Sequence, residues 1–338
     1  MIDFKNLPQV AGNILKARIG HRVPLKVTQY VTYRCNLACG FCGRRYLKTS
    51  EMATEQIKKC MDEFKKMGTI FWSFNGGEPL LRPDIGELIN YSQKLGFKCS
   101  IMTNGTLIPE KIEQLKGLDL VEVSLDGPEE INDAIRGQGT FKKVIKAIEI
   151  LRANNILVCI DSVINSTNLD YLDELWKISE KYGTQLEFQP VIIHSGDQEK
   201  KAAQYFPAKE KFLVAINWLI AQKRQGRKIN NSFSYLEQLK SYPDLPMSLD
   251  CWASYLFCVI TPDGFVAPCA VMLDEQEKFK NGLEVSFEKA FYSLPDLKKC
   301  RRCFFSCYGE YNCALNSLTK TGLKFIKNKI LGSGWFWQ

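Results

Sequence analysis

Three cysteines within eight residues carry the first chemical signal in this chain. Cys35, Cys39 and Cys42 stand in the stretch Tyr33-Arg34-Cys35-Asn36-Leu37-Ala38-Cys39-Gly40-Phe41-Cys42. Thiolates are soft ligands that favour iron–sulfur clusters, and three on one short loop can hold three irons of a [4Fe–4S] cube. The fourth iron is then open to a substrate or cofactor. A structural zinc wants four protein ligands, and no nearby His or Cys offers a fourth. Such close spacing argues against three cysteines that merely pack as small hydrophobes.

A second group runs Cys251-x6-Cys258-x10-Cys269, then Cys300-x2-Cys303-x3-Cys307-x5-Cys313, and holds seven of the chain's 13 cysteines. Gly264 lies in the turn shortly before Cys269. A zinc ion held by four of these thiols is the plain alternative to further iron–sulfur chemistry. Cys60, Cys99 and Cys159 fall within predicted helix or strand and read as core. There are only two histidines, His21 and His194, which argues against His-rich metal sites and a Ser-His-Asp triad. His194 follows the sixth predicted strand, where it either faces a substrate or satisfies local hydrogen bonds.

The elements that must position these groups show in the pattern. The chain has 338 residues, 45% hydrophobic and 24% charged, with net charge +8. That suits one large α/β unit with a modest second one. Strand-like runs at Lys26–Val31, Thr69–Phe74, Lys98–Thr103, Leu120–Leu125, Leu157–Val163 and Gln185–Gln189 alternate with helix-period segments near Glu55–Met67, Ile85–Leu95, Glu110–Leu115, Thr140–Asn154 and Leu169–Tyr182. Six alternations predict a parallel sheet with helices outside, because parallel strands need crossovers. The expected fold is a partial (β/α)6 TIM-like barrel; the rival, an open doubly wound sheet, lacks a Gly-rich phosphate loop here. In a barrel the chemistry belongs at the C-terminal strand ends.

The expected organisation is an N-terminal extension over 1–25, the barrel over 26–193 and a connecting segment over 194–250 with a helix at Pro207–Arg224. A small cysteine-rich C-terminal Fe–S domain over 251–318, with little helical period, and a basic, aromatic tail over 319–338 complete it. No apolar run approaches the roughly 20 residues that span a bilayer. The start of the chain has no signal-peptide core, which predicts a cytoplasmic protein, and thiols kept reduced there suit metal binding better than disulfides.

With Phe41 in the aromatic slot, the loop of Cys35, Cys39 and Cys42 resembles the CxxxCxφC signature of the radical SAM superfamily. The resemblance implies a cluster whose open iron is chelated by S-adenosylmethionine. One electron then cleaves that cofactor to a 5′-deoxyadenosyl radical that abstracts hydrogen from an unreactive C–H bond. Asn75-Gly76-Gly77-Glu78-Pro79 resembles the family's GGEP motif, which contacts the amino group of the cofactor. Thr103-Asn104-Gly105 and Ser124-Leu125-Asp126-Gly127-Pro128 occupy strand ends that face adenosine in the family. Asn132-Asp133-Ala134-Ile135-Arg136-Gly137 resembles HDxxRG, with Asn132 in place of the His. The implied cofactor-binding residues are thus Gly76, Gly77, Glu78, Asn104, Ser124, Asp126 and Arg136, the last holding a carboxylate in its bidentate fork.

The second cysteine group resembles the family's SPASM extension, which carries auxiliary [4Fe–4S] clusters. Its last two spacings are exchanged and a downstream cysteine is absent. By analogy Cys251, Cys258, Cys269 and Cys313 form one cluster, while Cys300, Cys303 and Cys307 form a second with three thiol ligands. A single auxiliary cluster, as in the shorter twitch variant, is the alternative.

The function implied is oxidation or bond formation on a peptide or protein, driven by a reductant such as flavodoxin or ferredoxin. Only 25 residues precede the first predicted strand, too few for the peptide-binding domain of many relatives. A lipid, lipid-linked or sugar-type substrate is therefore an alternative, with peripheral membrane contact through Leu323–Leu331 and Trp335-Phe336-Trp337. The segment Ile14–Ile19 has a similar basic, apolar mix that reads either way, as membrane contact or as a helix packed on the barrel. A non-catalytic Fe–S electron carrier is the other alternative, and it needs neither the Gly-Gly-Glu turn nor Arg136. Nucleic acid is not the expected partner, since +8 is modest and no aromatic-rich basic stripe appears.

Overall fold

The computed structural model describes residues 7–192, 203–243, 249–301 and 304–316. His194, Cys303 and the tail over 319–338 lie outside the described residues. All six predicted barrel strands are present: β1 (Lys26–Tyr30), β2 (Phe71–Asn75), β3 (Lys98–Thr103), β4 (Leu120–Ser124), β5 (Val158–Ile164) and β6 (Gln185–Pro190). Two more, β7 (Phe257–Ile260) and β8 (Val266–Ala267), come from the cysteine-rich region. The sheet order is β6-β5-β4-β3-β2-β1-β7-β8, parallel except for β8 against β7. Through β1 to β6 each strand lies beside its predecessor, the winding of a barrel; a doubly wound sheet reverses order partway. The fold is therefore a partial TIM-like barrel.

Between the strands run α2 (Thr54–Lys66), α3 (Ile85–Lys94), α4 (Ile108–Lys111), α5 (Glu129–Arg136), α6 (Thr140–Ala153) and α7 (Leu172–Tyr182), after an N-terminal α1 (Leu7–Arg18). Their apolar residues recur at three- and four-residue steps, so one stripe faces the sheet. In α2 that stripe is Ile57, Cys60, Met61 and Phe64, and in α6 Val144, Ala147, Ile148 and Leu151, all buried. Strand alternation sorts β1 likewise. Val27 joins this helix-facing core, while Lys26, Thr28 and Tyr30 line the barrel interior.

Three expectations need correction. The segment Glu110–Leu115 is not one helix but α4 followed by a tighter 3-10 turn, Ile112–Leu115. The predicted helix from Pro207 begins at Lys209 and ends at Arg224 as expected. The cysteine-rich region holds more helix than its pattern suggested: Ala270–Lys278 (3-10), Gly282–Val285, Phe287–Tyr292 and Ser306–Asn316. The short ones carry too few turns to show a period. Ser306–Asn316 is buried from Tyr308 to Leu315 on every side, so it has no polar face to contrast with an apolar one.

The helix α1 buries Val10, Ile14 and Ala17 in a second core with Trp252, Leu256 and Phe257, while Leu15 and Ile19 are 62% and 69% exposed. Among the described residues no helix is long and apolar enough to cross a membrane.

Candidate active site at the barrel mouth

The loop of Cys35, Cys39 and Cys42 leaves the C-terminal end of β1 and is clamped from below by the turn after β2. Gly77 N–H donates to the Thr32 carbonyl and Glu78 N–H to the Arg34 carbonyl, both at 2.8 Å. This approach explains the two glycines. A Cβ at Gly76 would stand 2.3 Å from the Thr32 oxygen, and one at Gly77 2.3 Å from the Arg34 oxygen. The N–H groups of Gly77 and Glu78 are thus spent on the thiol loop itself.

Glu78 is likewise a brace. Its buried carboxylate accepts hydrogen bonds from Thr103 Oγ1 and from the backbone N–H groups of Asn104 and Leu80. Burial pushes this carboxyl up to about 7 even though all three donors favour the charged form. Asn104, held in this way at the end of β3, sends its side-chain Nδ2 to Asn36 Oδ1 at 2.8 Å and towards Cys35 Sγ at 3.9 Å.

Arg136, at the end of α5, closes the other side. Its Nε donates to Asp126 Oδ2 at 2.8 Å, its Nη1 approaches Cys39 Sγ at 4.0 Å, and its guanidinium lies 5.8 Å from the Phe41 ring centroid. Asp126 is fully buried; its Oδ1 accepts the Val163 N–H, and its own N–H donates to Asn132 Oδ1. Asn132, where the resemblance led one to expect a His, therefore fixes the loop that carries Asp126. Ser124, at the end of β4, is on the inward phase with Leu120 and Glu122, which line the barrel interior.

The donor set suits a cluster. Cys35 Sγ receives the Leu37 N–H at 3.4 Å as well as the Asn104 amide. Burial pushes the Cys39 thiol up to about 11; the Arg136 cation opposes this, and the neighbouring Cys42 and Cys35 thiols add to it. N–H groups and a cation aimed at sulfur stabilise thiolate charge. Among the described residues no three Cys, His, Asp or Glu side chains gather as ligands of one ion. A cube makes no such demand, since each thiolate binds a different iron.

Beneath the mouth the barrel encloses a cavity of about 90 Å³, lined among others by Lys26, Glu122, Asp161, Glu187, Cys307 and Tyr311. Burial, with Glu187 and Glu122 close by, holds the Asp161 carboxyl well above the usual carboxylate range, and Gln189 Nε2 donates to its Oδ2 at 2.8 Å. Burial alone would lower Lys26, but Tyr311, Cys307 and Glu122 outweigh it and the ammonium stays charged. Sequence reasoning singled out none of Lys26, Glu122, Asp161 and Glu187. The one signal available was a charged residue on the inward phase of β1, β4, β5 and β6.

The second cysteine group separates in space. Cys251, Cys269 and Cys300 line one small apolar pocket with Phe257 and Tyr308. Burial pushes Cys269 up to about 12, with Cys251 and Cys300 adding to the effect. Cys251 also feels hydrogen bonds from the Ala253 backbone and the Asn312 side chain. Cys258 is not with them. Alternation along β7 turns it to the helix-facing core, where the Cys60 thiol of α2 feels it. Cys307 faces the central cavity, and Cys313, six residues on, turns another face of its helix into the main core. The grouping of Cys251 and Cys269 with Cys258 and Cys313 is therefore not what the structure assembles.

Residues 30–177 match the family model described as the Radical SAM superfamily. The mycofactocin maturase MftC of Mycobacterium ulcerans is 30% identical over 83% of this chain and 78% of its own length. That of Mycobacterium tuberculosis is 33% identical over 74% of this chain and 65% of its own length, so the chain spans about two-thirds of such curated relatives. An AdoMet-dependent heme synthase of Oleidesulfovibrio alaskensis is 28% identical over 72% of this chain and 68% of its own length. Among solved structures, Streptococcus suis SuiB bound to precursor peptide SuiA superposes with TM-score 0.68 at 18% identity, covering 99% of this chain and 80% of that one. The enzyme anSMEcpe with bound AdoMet gives 0.64 at 21% identity, covering 83% of this chain and 81% of that one. At these identities the likeness shows a shared fold.

Proposed function

The chain belongs to the radical SAM superfamily, and from that premise we propose that it is a maturase-type oxidoreductase that modifies a peptide or protein. Cys35, Cys39 and Cys42 hold a [4Fe–4S] cluster that binds S-adenosylmethionine. The observation that carries this reading is the thiol loop at the barrel mouth, with Leu37 N–H, Asn104 and Arg136 directed at its sulfurs. When bound, the cluster and S-adenosylmethionine supply one-electron cleavage of the sulfonium to a carbon radical that removes hydrogen from an unactivated C–H bond.

The chain's own residues do the rest. Arg136 neutralises charge at Cys39, and the fixed Asp126 keeps its fork in place. Nε and Nη1 are thus engaged, which leaves Nη2 for a bound carboxylate. Ser124 and the backbone after β2 offer polar partners at the same rim. Below them the Asp161 carboxyl, held above the usual carboxylate range by burial, and the Lys26 ammonium give the cavity polar groups to orient a substrate. Cys251, Cys269 and Cys300 hold an auxiliary cluster; Cys303, in the same CxxC pair, lies outside the described residues. Exposed Arg45 and Lys48, close after Cys42, favour an acidic electron donor such as flavodoxin or ferredoxin.

The peptide assignment draws on relatives named as maturases and on the precursor peptide bound to SuiB. The lipid alternative drew on the short stretch before the first strand and on the tail, and the tail lies outside the described residues. Anaerobically prepared protein given dithionite and S-adenosylmethionine should form 5′-deoxyadenosine, and Cys39→Ala should reduce that product to background. Product formation undiminished in the variant contradicts the assignment.

A further inference from the structure

Arg44 belongs to neither cysteine group, yet it touches the surroundings of both. It opens a 3-10 turn, Arg44–Tyr46, two residues after Cys42, and is only 5% exposed. Its Nη2 donates to the Ala270 carbonyl at 3.0 Å, one residue beyond Cys269, and its Nη1 pairs with Asp274 at 3.4 Å. The guanidinium carbon lies 5.7 Å from the centroid of Tyr30. Tyr30 reports the same neighbourhood, since its hydroxyl, buried, feels Arg44 together with the thiols of Cys307, Cys42 and Cys269. The segment after Arg44 is stitched to the same region, with Thr49 Oγ1 donating to Asp263 at 2.6 Å and Met52 N–H to the Pro262 carbonyl at 2.7 Å.

A buried guanidinium cannot shed its proton, so a permanent cation stands between the two thiol sites. In a water-poor interior such a charge acts more strongly than it would at the surface. We propose that Arg44, balanced by Asp274, is a positioning residue that couples the two thiol sites electrostatically and sets the reduction potential of the auxiliary centre. The proposal rests on the two-cluster reading above. It assigns to Arg44 no contact with substrate.

The test is an EPR-monitored redox titration of anaerobically reconstituted protein with dithionite. Arg44→Gln removes a positive charge and should move the auxiliary potential to more negative values. Asp274→Asn removes the compensating negative charge and should move it the opposite way, and Arg44→Lys should restore part of the wild-type value. A loss of packing alone does not reverse sign between the two variants. Unmoved potentials, or shifts in one direction for both, overturn the proposal while the wild-type signals leave the two-cluster reading intact. A wild-type protein without an auxiliary signal overturns that reading, and the coupling with it.

Discussion

The two thiol sites are built in opposite ways. The loop of Cys35, Cys39 and Cys42 is one contiguous stretch, its thiols half-exposed at the barrel mouth. Cys251, Cys269 and Cys300 come from three separate segments and close on a small apolar pocket; Cys251 and Cys269 are buried there. Both sets have N–H donors near sulfur, so ligand chemistry alone does not distinguish them. Access does. An open site suits an iron that must admit a cofactor, and an enclosed one suits a centre that keeps its ligands and passes charge. The lesson is that spacing along the chain names the grouped thiols only for the first kind, because the second set comes together only once the chain has folded.

The sharpest way to break this comparison is to remove sulfurs one at a time. Cys269→Ala should cost about half of the iron bound per chain and leave 5′-deoxyadenosine formation in place, whereas Cys258→Ala should keep full iron. Equal iron loss in both would return Cys258 to the ligand set. A smaller but still large effect is expected at the clamp. In Gly77→Ala the new Cβ meets backbone oxygens of the loop, which should cost roughly 1–3 kcal/mol and loosen the open site before the enclosed one. Urea melts and iron content of the variant measure both.

The smallest effect is in pH. The native Glu78 carboxyl holds its proton up to about 7, against an ordinary value of 4.5. Its stabilising contribution is therefore full below about pH 4.5 and lost as pH rises through about 7. Urea midpoints measured from pH 5 to 8 should fall more steeply for the wild type than for Glu78→Gln. Parallel profiles would show that the three donors, not burial, govern this group.

Much of this was legible before folding was considered. Alternating β-branched runs place β1 to β6 within about two residues, because burial on both faces leaves an unmistakable apolar signal. The three-cysteine loop showed through spacing, and Arg136 was singled out through the resemblance to a family motif. The two glycines announced a close approach, and one of the approaching groups is the chain's own loop. Cys258 and Cys313 lie apart from Cys251, Cys269 and Cys300, and cysteine spacing carries no record of which face of β7 or of Ser306–Asn316 each occupies. Lys26, Asp161 and Glu187 were invisible for a related reason. Single charges inside apolar strands look like noise until a barrel turns them towards one cavity.

The central claim is a cube held through Cys35, Cys39 and Cys42 with one iron free for S-adenosylmethionine. It is tested most directly by EPR of the dithionite-reduced Cys251→Ala/Cys269→Ala/Cys300→Ala protein, in which only the loop cluster is left, recorded with and without S-adenosylmethionine. The account predicts about four irons per chain and a cluster spectrum whose g-values shift when S-adenosylmethionine is added. An unshifted spectrum, or folded protein that takes up no iron, would contradict it.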